Sequence, residues 1–216
     1  MSNTVVLGLV GPTGAGKSTV ARTLEKLGCR IVDCDAVARE VTDTCEPCLE
    51  ELCREFGADI RKEGQLDRRL LASRAFSTKE KTERLNQITH PWICKKSLER
   101  IEAFRKEEAP AVLLDAPLLF EAKMEGICDF ILAVVAPSEV RLERILARDG
   151  ISRELALSRI KAQQSSEYYK KRSDFWLDGS LPMEEVQAKA QRIYSMILKN
   201  REEKDPSLFR RGTPPC

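Results

Sequence analysis

Gly11-Pro12-Thr13-Gly14-Ala15-Gly16-Lys17-Ser18 satisfies the phosphate-loop pattern G-x-x-x-x-G-K-[ST] at each fixed position. Thr4 to Val10, just before it, is apolar and β-branched, and predicts a buried parallel strand. Ser18 to Leu27, just after it, predicts a helix with Val20, Leu24 and Leu27 on one face and Gly28 as its stop. Strand, glycine loop and helix are the context in which the pattern carries chemistry. Glycines let backbone N–H groups turn inward around a polyphosphate, and the helix N-terminus adds partial positive charge there. Lys17 suits the β- and γ-phosphate oxygens, and the Ser18 hydroxyl suits a magnesium ion. The stretch therefore predicts a nucleoside triphosphate site without saying what is done with the nucleotide.

Working outward, Arg30 to Asp33 predicts a short second strand, followed at once by Cys34, Asp35 and a helix from about Ala36. Asp33 and Asp35 thus fall at the carboxyl edge of a parallel sheet, where ligands bind. One of them could orient an attacking hydroxyl or take its proton, or cap the helix; position alone leaves both roles open. Ala111 to Asp115 predicts a third strand ending in an acid, which fits the carboxylate that lies near magnesium or its waters. Asp129 to Val135 and Phe175 to Leu177 supply a fourth and a fifth strand. Strands alternating with helices predict a three-layer α/β/α fold on a parallel five-stranded sheet.

Two helical segments interrupt that alternation. Residues 41–106 are mostly helical in pattern and rich in charge, and form an insertion placed to receive an acceptor substrate. His90, the one histidine, precedes Pro91 and so is expected away from a helix interior. Residues 137–169 read as a basic helical lid, with Arg141, Arg144 and Arg148 at helical spacing, a break at Asp149-Gly150 and Ser152 capping a second helix. Such arginines either neutralise phosphate charge or pair with Glu139 and Glu143 on a solvated face. The core is then 1–40, 107–136 and 170–200, one domain over 1–200. Leu181 to Lys199 is a closing amphipathic helix, and residues 201–216 have no periodicity and are expected to form a mobile tail.

Bulk properties narrow the function classes. The chain has 216 residues, 32% of them charged, and a net charge of +2, so nothing in its charge argues for nucleic acid. No apolar run approaches the ~18 residues of a membrane span, and the first strand follows Met1-Ser2-Asn3 directly, so a cytoplasmic enzyme is expected. Of the eight cysteines, Cys45, Cys48 and Cys53 fall on one helical stripe with Leu49, Leu52 and Phe56, and no second Cys/His pair completes a zinc site. No zinc is expected. The oligomeric state is not fixed by any of these features.

Taken together the motifs resemble the dephospho-CoA kinase family over about residues 4–200. The resemblance rests on Gly8 to Gly11 leading into the loop, and on Ile31-Val32-Asp33-Cys34-Asp35 with Ala38-Arg39. It rests also on Gly64-x-Leu66-Asp67-Arg68-x-x-Leu71 with Phe76, and on Leu85-Asn86-x-Ile88-x-His90-Pro91-x-Ile93. Asp115-x-Pro117-Leu118-Leu119-Phe120-Glu121 and Arg159-Ile160 with Gln163 complete it. It implies ATP-dependent phosphorylation of the ribose 3′-hydroxyl of dephospho-CoA by direct in-line transfer. It further implies ATP contacts from Gly11, Thr13, Gly14, Ala15, Gly16, Lys17, Ser18 and Thr19, and Mg²⁺ at Ser18 and Asp115, directly or through water. Asp35 becomes the base or orienting group, Arg144 or Arg148 the lid arginine, and Arg68, His90, Pro91 and Leu118 the acceptor contacts. The family loop usually reads Gly-Gly-Ile-Gly-Ser-Gly-Lys-Ser; here Pro12-Thr13 replaces Gly-Ile and Ala15 replaces Ser. The family commonly has an asparagine after the last strand, near the adenine, where this chain reads Leu177-Asp178-Gly179-Ser180.

Three other readings have their own signatures. Gly-Pro-Thr-Gly also resembles the loop of tRNA prenyl transferases, which predicts a longer chain and a basic face. Another small-metabolite or nucleotide kinase would need no His-Pro motif. A non-catalytic nucleotide-dependent switch or binding module is the third; a guanine-nucleotide switch would need Asn-Lys-x-Asp and Asp-x-x-Gly, and neither occurs where required.

Overall fold

A computed structural model of the chain describes residues 4–62 and 64–202. Compact packing divides them into two units, one of residues 4–32 with 101–202 and one of residues 33–100. The first unit holds the strands β1 (Val5–Val10), β5 (Ala111–Asp115), β6 (Phe130–Val135) and β7 (Phe175–Asp178), and most of β2 (Arg30–Asp33). They form one sheet in the order β2-β5-β1-β6-β7, with β1–β5, β1–β6 and β6–β7 pairing parallel. The first strand is thus the centre of the sheet, and all six of its residues are buried. That is why its sequence is continuously apolar rather than alternating.

One face of the sheet packs on α1 (Lys17–Glu25) and α9 (Met183–Glu202). Val5, Leu7 and Leu9 from β1 meet Val20 and Leu24 of α1 and Tyr194 and Ile197 of α9 in a single apolar cluster. Each such buried side chain contributes roughly 1.5–3 kcal/mol. Helix α6 (Ser138–Asp149) and α7 (Arg153–Lys161) carry a small core of their own, in which Leu142 and Ile145 meet Ala156. Ser152 caps α7 by accepting from Leu155 N–H. Helix α8 (Ser166–Arg172) leads into β7.

The second unit is helical: α2 (Cys34–Thr44), α3 (Glu46–Phe56), α4 (Arg68–Ala75) and the first 22 residues, to Arg100, of α5 (Lys79–Lys106). Cys48, Leu49, Leu52 and Phe56 form the buried stripe of α3, with Cys45 and Cys53 half-buried at its margins. A two-stranded antiparallel hairpin, β3 (Arg61–Lys62) with β4 (Gln65–Leu66), is the strand part of this mostly helical stretch. Its strands are too short for any periodicity to show.

Two further expectations are corrected. His90 and Pro91 lie in the middle of α5, not at a helix boundary. Pro91 lacks the N–H that would bond the Gln87 carbonyl, but both residues are exposed, so water can satisfy that oxygen. Buried Ile88, Cys94, Ser97 and Ile101 hold the helix on either side. Arg201 and Glu202 belong to α9 rather than to a tail. Residues 203–216, the rest of the expected tail, lie outside the described residues.

Candidate active site

The site is built first by backbone that tolerates no side chain. At Gly11, φ is 137°, and a β-carbon would lie 2.0 Å from the Val134 carbonyl oxygen. The loop therefore leaves β1 pressed against β6, a path open only to glycine. Gly16 is left-handed at the N-cap of α1 and offers no side-chain cap, so the first N–H groups of the helix face whatever lies in the loop. Ala15 N–H closes a turn onto the Pro12 carbonyl at 3.2 Å. Among the described residues, Gly14 N–H and Gly16 N–H meet no acceptor. A ring of outward-pointing donors at a helix start is an anion site. Lys17 Nζ donates to the Gly11 carbonyl at 2.7 Å, which folds the ammonium across the loop.

Charge is gathered around this loop from distant parts of the chain. Arg144 donates from Nη1 to the Gly14 carbonyl at 3.2 Å and from Nη2 to the Gly179 carbonyl at 2.8 Å. Arg148 instead pairs with Asp149, at 2.7 and 3.1 Å, and Arg159 shares that carboxylate at 2.9 Å. The Arg148 guanidinium holds the Asp149 carboxyl below its ordinary range. Of the two lid arginines singled out from sequence, Arg144 is the one placed against the loop. Neither pairs with Glu139 or Glu143.

Asp115 ends β5 in register with Leu9, one strand over from the loop, at the same carboxyl edge of the sheet. Ser18 is exposed in the first turn of α1, and Thr19 is half-buried beside it, donating its N–H to the Gly16 carbonyl. Leu118 follows Asp115 in a turn and is 51% exposed, whereas Leu119 and Phe120 are buried beneath it. On the far side of the loop, Asp178 accepts from Ser180 N–H and Oγ, at 2.8 and 2.5 Å. Those two donors hold its carboxyl below the usual range.

The helical unit presents a different set. Asp33 Oδ1 accepts from Asp35 N–H at 2.8 Å and Ala36 N–H at 3.0 Å, so Asp33 is the cap of α2. Asp35 follows in the first turn, exposed, and its carboxylate makes no hydrogen bond to another described residue. Sequence position left the two acids equivalent; capping separates them. Arg68 donates to Thr42 Oγ1 at 2.9 Å, to the Arg39 carbonyl at 3.2 Å and to Asp43 at 2.6 Å, tying α4 to the end of α2. His90 is half-buried, and burial pushes its imidazole toward the neutral form.

Two residues that sequence reasoning did not place in the site reach the loop. Arg141, 4% exposed, donates from Nε to the Thr13 carbonyl at 2.9 Å. Gln163 Oε1 accepts from Thr13 N–H at 3.0 Å and from Arg141 at 2.6 Å. Helical spacing marked Arg141 only as one of three candidates, and a single glutamine carries no periodic signal.

A glycine-lined phosphate loop on a parallel sheet of order β2-β5-β1-β6-β7, faced by Arg141 and Arg144 of α6, is the architecture of a P-loop kinase. The dephospho-CoA kinase family model matches residues 5–185. The dephospho-CoA kinase of Carboxydothermus hydrogenoformans is 40% identical over 176 residues, covering 81% of this chain and 85% of that protein. That of Moorella thermoacetica is 46% identical over 160 residues, 73% of this chain and 76% of that protein. A crystal structure from Thermus thermophilus superposes with a TM-score of 0.76 at 36% identity, over 90% of this chain and 98% of that one. The dephospho-CoA kinase from Campylobacter jejuni superposes with a TM-score of 0.60 at 25% identity, over the same shares. The chain belongs to the dephospho-CoA kinase family.

Proposed function

We propose that this chain transfers the terminal phosphoryl group of ATP to the ribose 3′-hydroxyl of dephospho-CoA, giving coenzyme A and ADP. The observation that carries the reading is the nucleotide-shaped loop of Gly11 to Ser18 in a chain of this family. Transfer is direct and in line, since phosphoryl transfer needs positioning and charge rather than a covalent intermediate. Lys17 leaves the Gly11 carbonyl for the β- and γ-phosphates. Arg144, already on the Gly14 carbonyl, supplies positive charge as negative charge spreads over the equatorial oxygens. Arg148 stays with Asp149 and steadies the lid. Asp35, with its carboxylate unengaged, orients the 3′-hydroxyl and takes its proton. Arg68, His90 and Pro91 in the helical unit and Leu118 beyond β5 receive the acceptor.

The donors at hand suit magnesium. Ser18 and Asp115 offer hard oxygens, one at the helix start and one at the sheet edge. That pattern fits an ion that keeps waters and takes its remaining ligands from phosphate. When bound, it would neutralise β- and γ-phosphate charge. No helix among the described residues is long and apolar enough to cross a membrane. We place the reaction in the cytoplasm.

A coupled ADP-release assay tests the reading, using Mg-ATP with dephospho-CoA, adenosine, AMP, shikimate or water alone. Turnover confined to dephospho-CoA, with product heavier by one phosphoryl group, is the expected result. Turnover with another acceptor would discard the acceptor assignment and keep the loop. ADP release with water alone would make the chain an ATPase.

A further inference from the structure

All the polar groups of Thr13 are engaged by two residues far away in sequence. Its carbonyl accepts from Arg141 Nε at 2.9 Å. Its N–H donates to Gln163 Oε1 at 3.0 Å. Its hydroxyl accepts from Gln163 Nε2 at 2.9 Å. Arg141 then closes the ring by donating from Nη2 to the same Gln163 Oε1 at 2.6 Å. A guanidinium only donates, so its presence fixes which end of the Gln163 amide faces inward. The amide cannot flip without losing its bonds from Thr13 N–H and from Arg141.

The ring has a directional consequence. In a planar trans peptide the C=O and the next N–H point opposite ways. Holding the Thr13 carbonyl toward α6 therefore turns the Gly14 N–H away from α6. That N–H meets no acceptor among the described residues. Gly14 is also pressed against α6: a β-carbon there would lie 2.8 Å from the Arg141 carbonyl oxygen. The preceding peptide is held as well, by Gln163 on Thr13 N–H and by Ala15 N–H on the Pro12 carbonyl. Both peptide planes flanking Thr13 are thus pinned from outside the loop.

The arrangement is expensive unless it serves something. Arg141 is 4% exposed and forms no salt bridge with a described residue; its hydrogen-bond partners are the neutral Thr13 and Gln163. Burial of a guanidinium among neutral partners costs stability. Desolvation pushes its proton affinity down accordingly.

We propose that Arg141 and Gln163 are positioning residues that pin the Thr13 peptides and so aim the Gly14 N–H at the phosphates of the bound nucleotide. This rests on the nucleotide-binding reading above. It assigns a role to two side chains that the reaction itself does not require to touch substrate.

The test is calorimetric binding of Mg-ATP by the full chain without acceptor, for wild type, Gln163→Leu, Arg141→Met and the double variant. Steady-state KM values and nucleotide-free melting temperatures accompany it. Each single substitution should weaken Mg-ATP binding about tenfold or more, as expected from the loss of a hydrogen bond to a charged group. KM for ATP should rise in step, and KM for dephospho-CoA should hold. The double variant should bind no worse than the weaker single, because both residues act on one element. Wild-type affinity in either folded single variant, or additive losses in the double, would overturn the proposal. If Gln163→Leu does not fold, Gln163→Asn, one methylene too short to span the ring, is judged by the same criteria. Failure of the wild type itself to bind Mg-ATP would instead remove the nucleotide-binding reading on which the proposal stands.

Discussion

Gly179 lies so close to Ala15 that a β-carbon at 179 would sit 1.9 Å from the Ala15 carbonyl oxygen. The turn after the last strand is therefore packed directly on the phosphate loop, backbone against backbone. Neither side has a flexible atom to yield. Gly179→Ala should displace the loop and raise the Mg-ATP dissociation constant about tenfold or more, a shift of about 1.4 kcal/mol. Calorimetric titration checks this. Unchanged affinity would mean that the turn moves and the loop does not.

Arg144 and Arg148 should separate under mutation. Arg144 bonds the loop at Gly14 and the turn at Gly179, whereas Arg148 bonds Asp149. Arg144→Ala should lower kcat by about a hundredfold or more, the loss typical of removing a transition-state donor. Arg148→Ala exchanges an exposed ion pair for solvent and should change kcat by less than about fivefold, in line with the small worth of such pairs. Steady-state kinetics on both variants decides the assignment; the reverse ranking would transfer the catalytic role to Arg148.

Asp35 and Lys17 should fail in different ways. Asp35→Asn removes the proposed proton acceptor but no proposed nucleotide contact, so kcat should fall about a hundredfold or more while Mg-ATP still binds. Lys17→Ala should weaken both binding and turnover. Near-normal turnover in Asp35→Asn would end its role as base. Asp33→Ala tests the other acid: losing the α2 cap should cost about 1 kcal/mol of stability, read as a lower melting temperature.

Stability should decline on mild acidification, and His90 is the reason. It is the one histidine of the chain. Burial lowers its folded-state pKa, so the unfolded chain binds the proton more readily. The stabilising contribution is fully present above the unfolded value of about 6.5. It is lost as pH falls from there through the depressed folded value. The carboxylates held low, Asp149 among them, titrate in a more acidic range. Melting temperatures across this window should fall for the wild type and flatten for His90→Phe. An equal slope in both would locate the effect elsewhere.

Pro91 offers a separation of stability from function. It sits exposed inside α5, where it removes one helical hydrogen bond. Pro91→Ala should restore the bond to the Gln87 carbonyl, offset by the greater entropy of the unfolded chain, for a net gain of about 1 kcal/mol. If Pro91 helps receive the acceptor, KM for dephospho-CoA should rise in the same variant. A lower melting temperature would show that the fold depends on the proline.

The sequence by itself determined the central sheet and the loop. Continuous apolar strands at Val5–Val10, Ala111–Asp115 and Phe130–Val135 and the fixed spacing of Gly11, Gly16, Lys17 and Ser18 are local facts, written in adjacent residues. Local chemistry also announced Ser152 as a cap. What it left open was settled by groups that meet only after folding. Asp33 and Asp35 differ in their contacts because one side chain turns back onto the α2 backbone, a matter of torsion angles that composition does not encode. His90 and Pro91 stay helical because buried residues on both sides outweigh a local preference against it. Arg141, Arg144 and Gln163 reach the loop across 128 to 150 residues of chain. Which of several equally spaced arginines faces inward depends on the packing of α6 on the loop, and helical periodicity has no absolute phase until that packing supplies it.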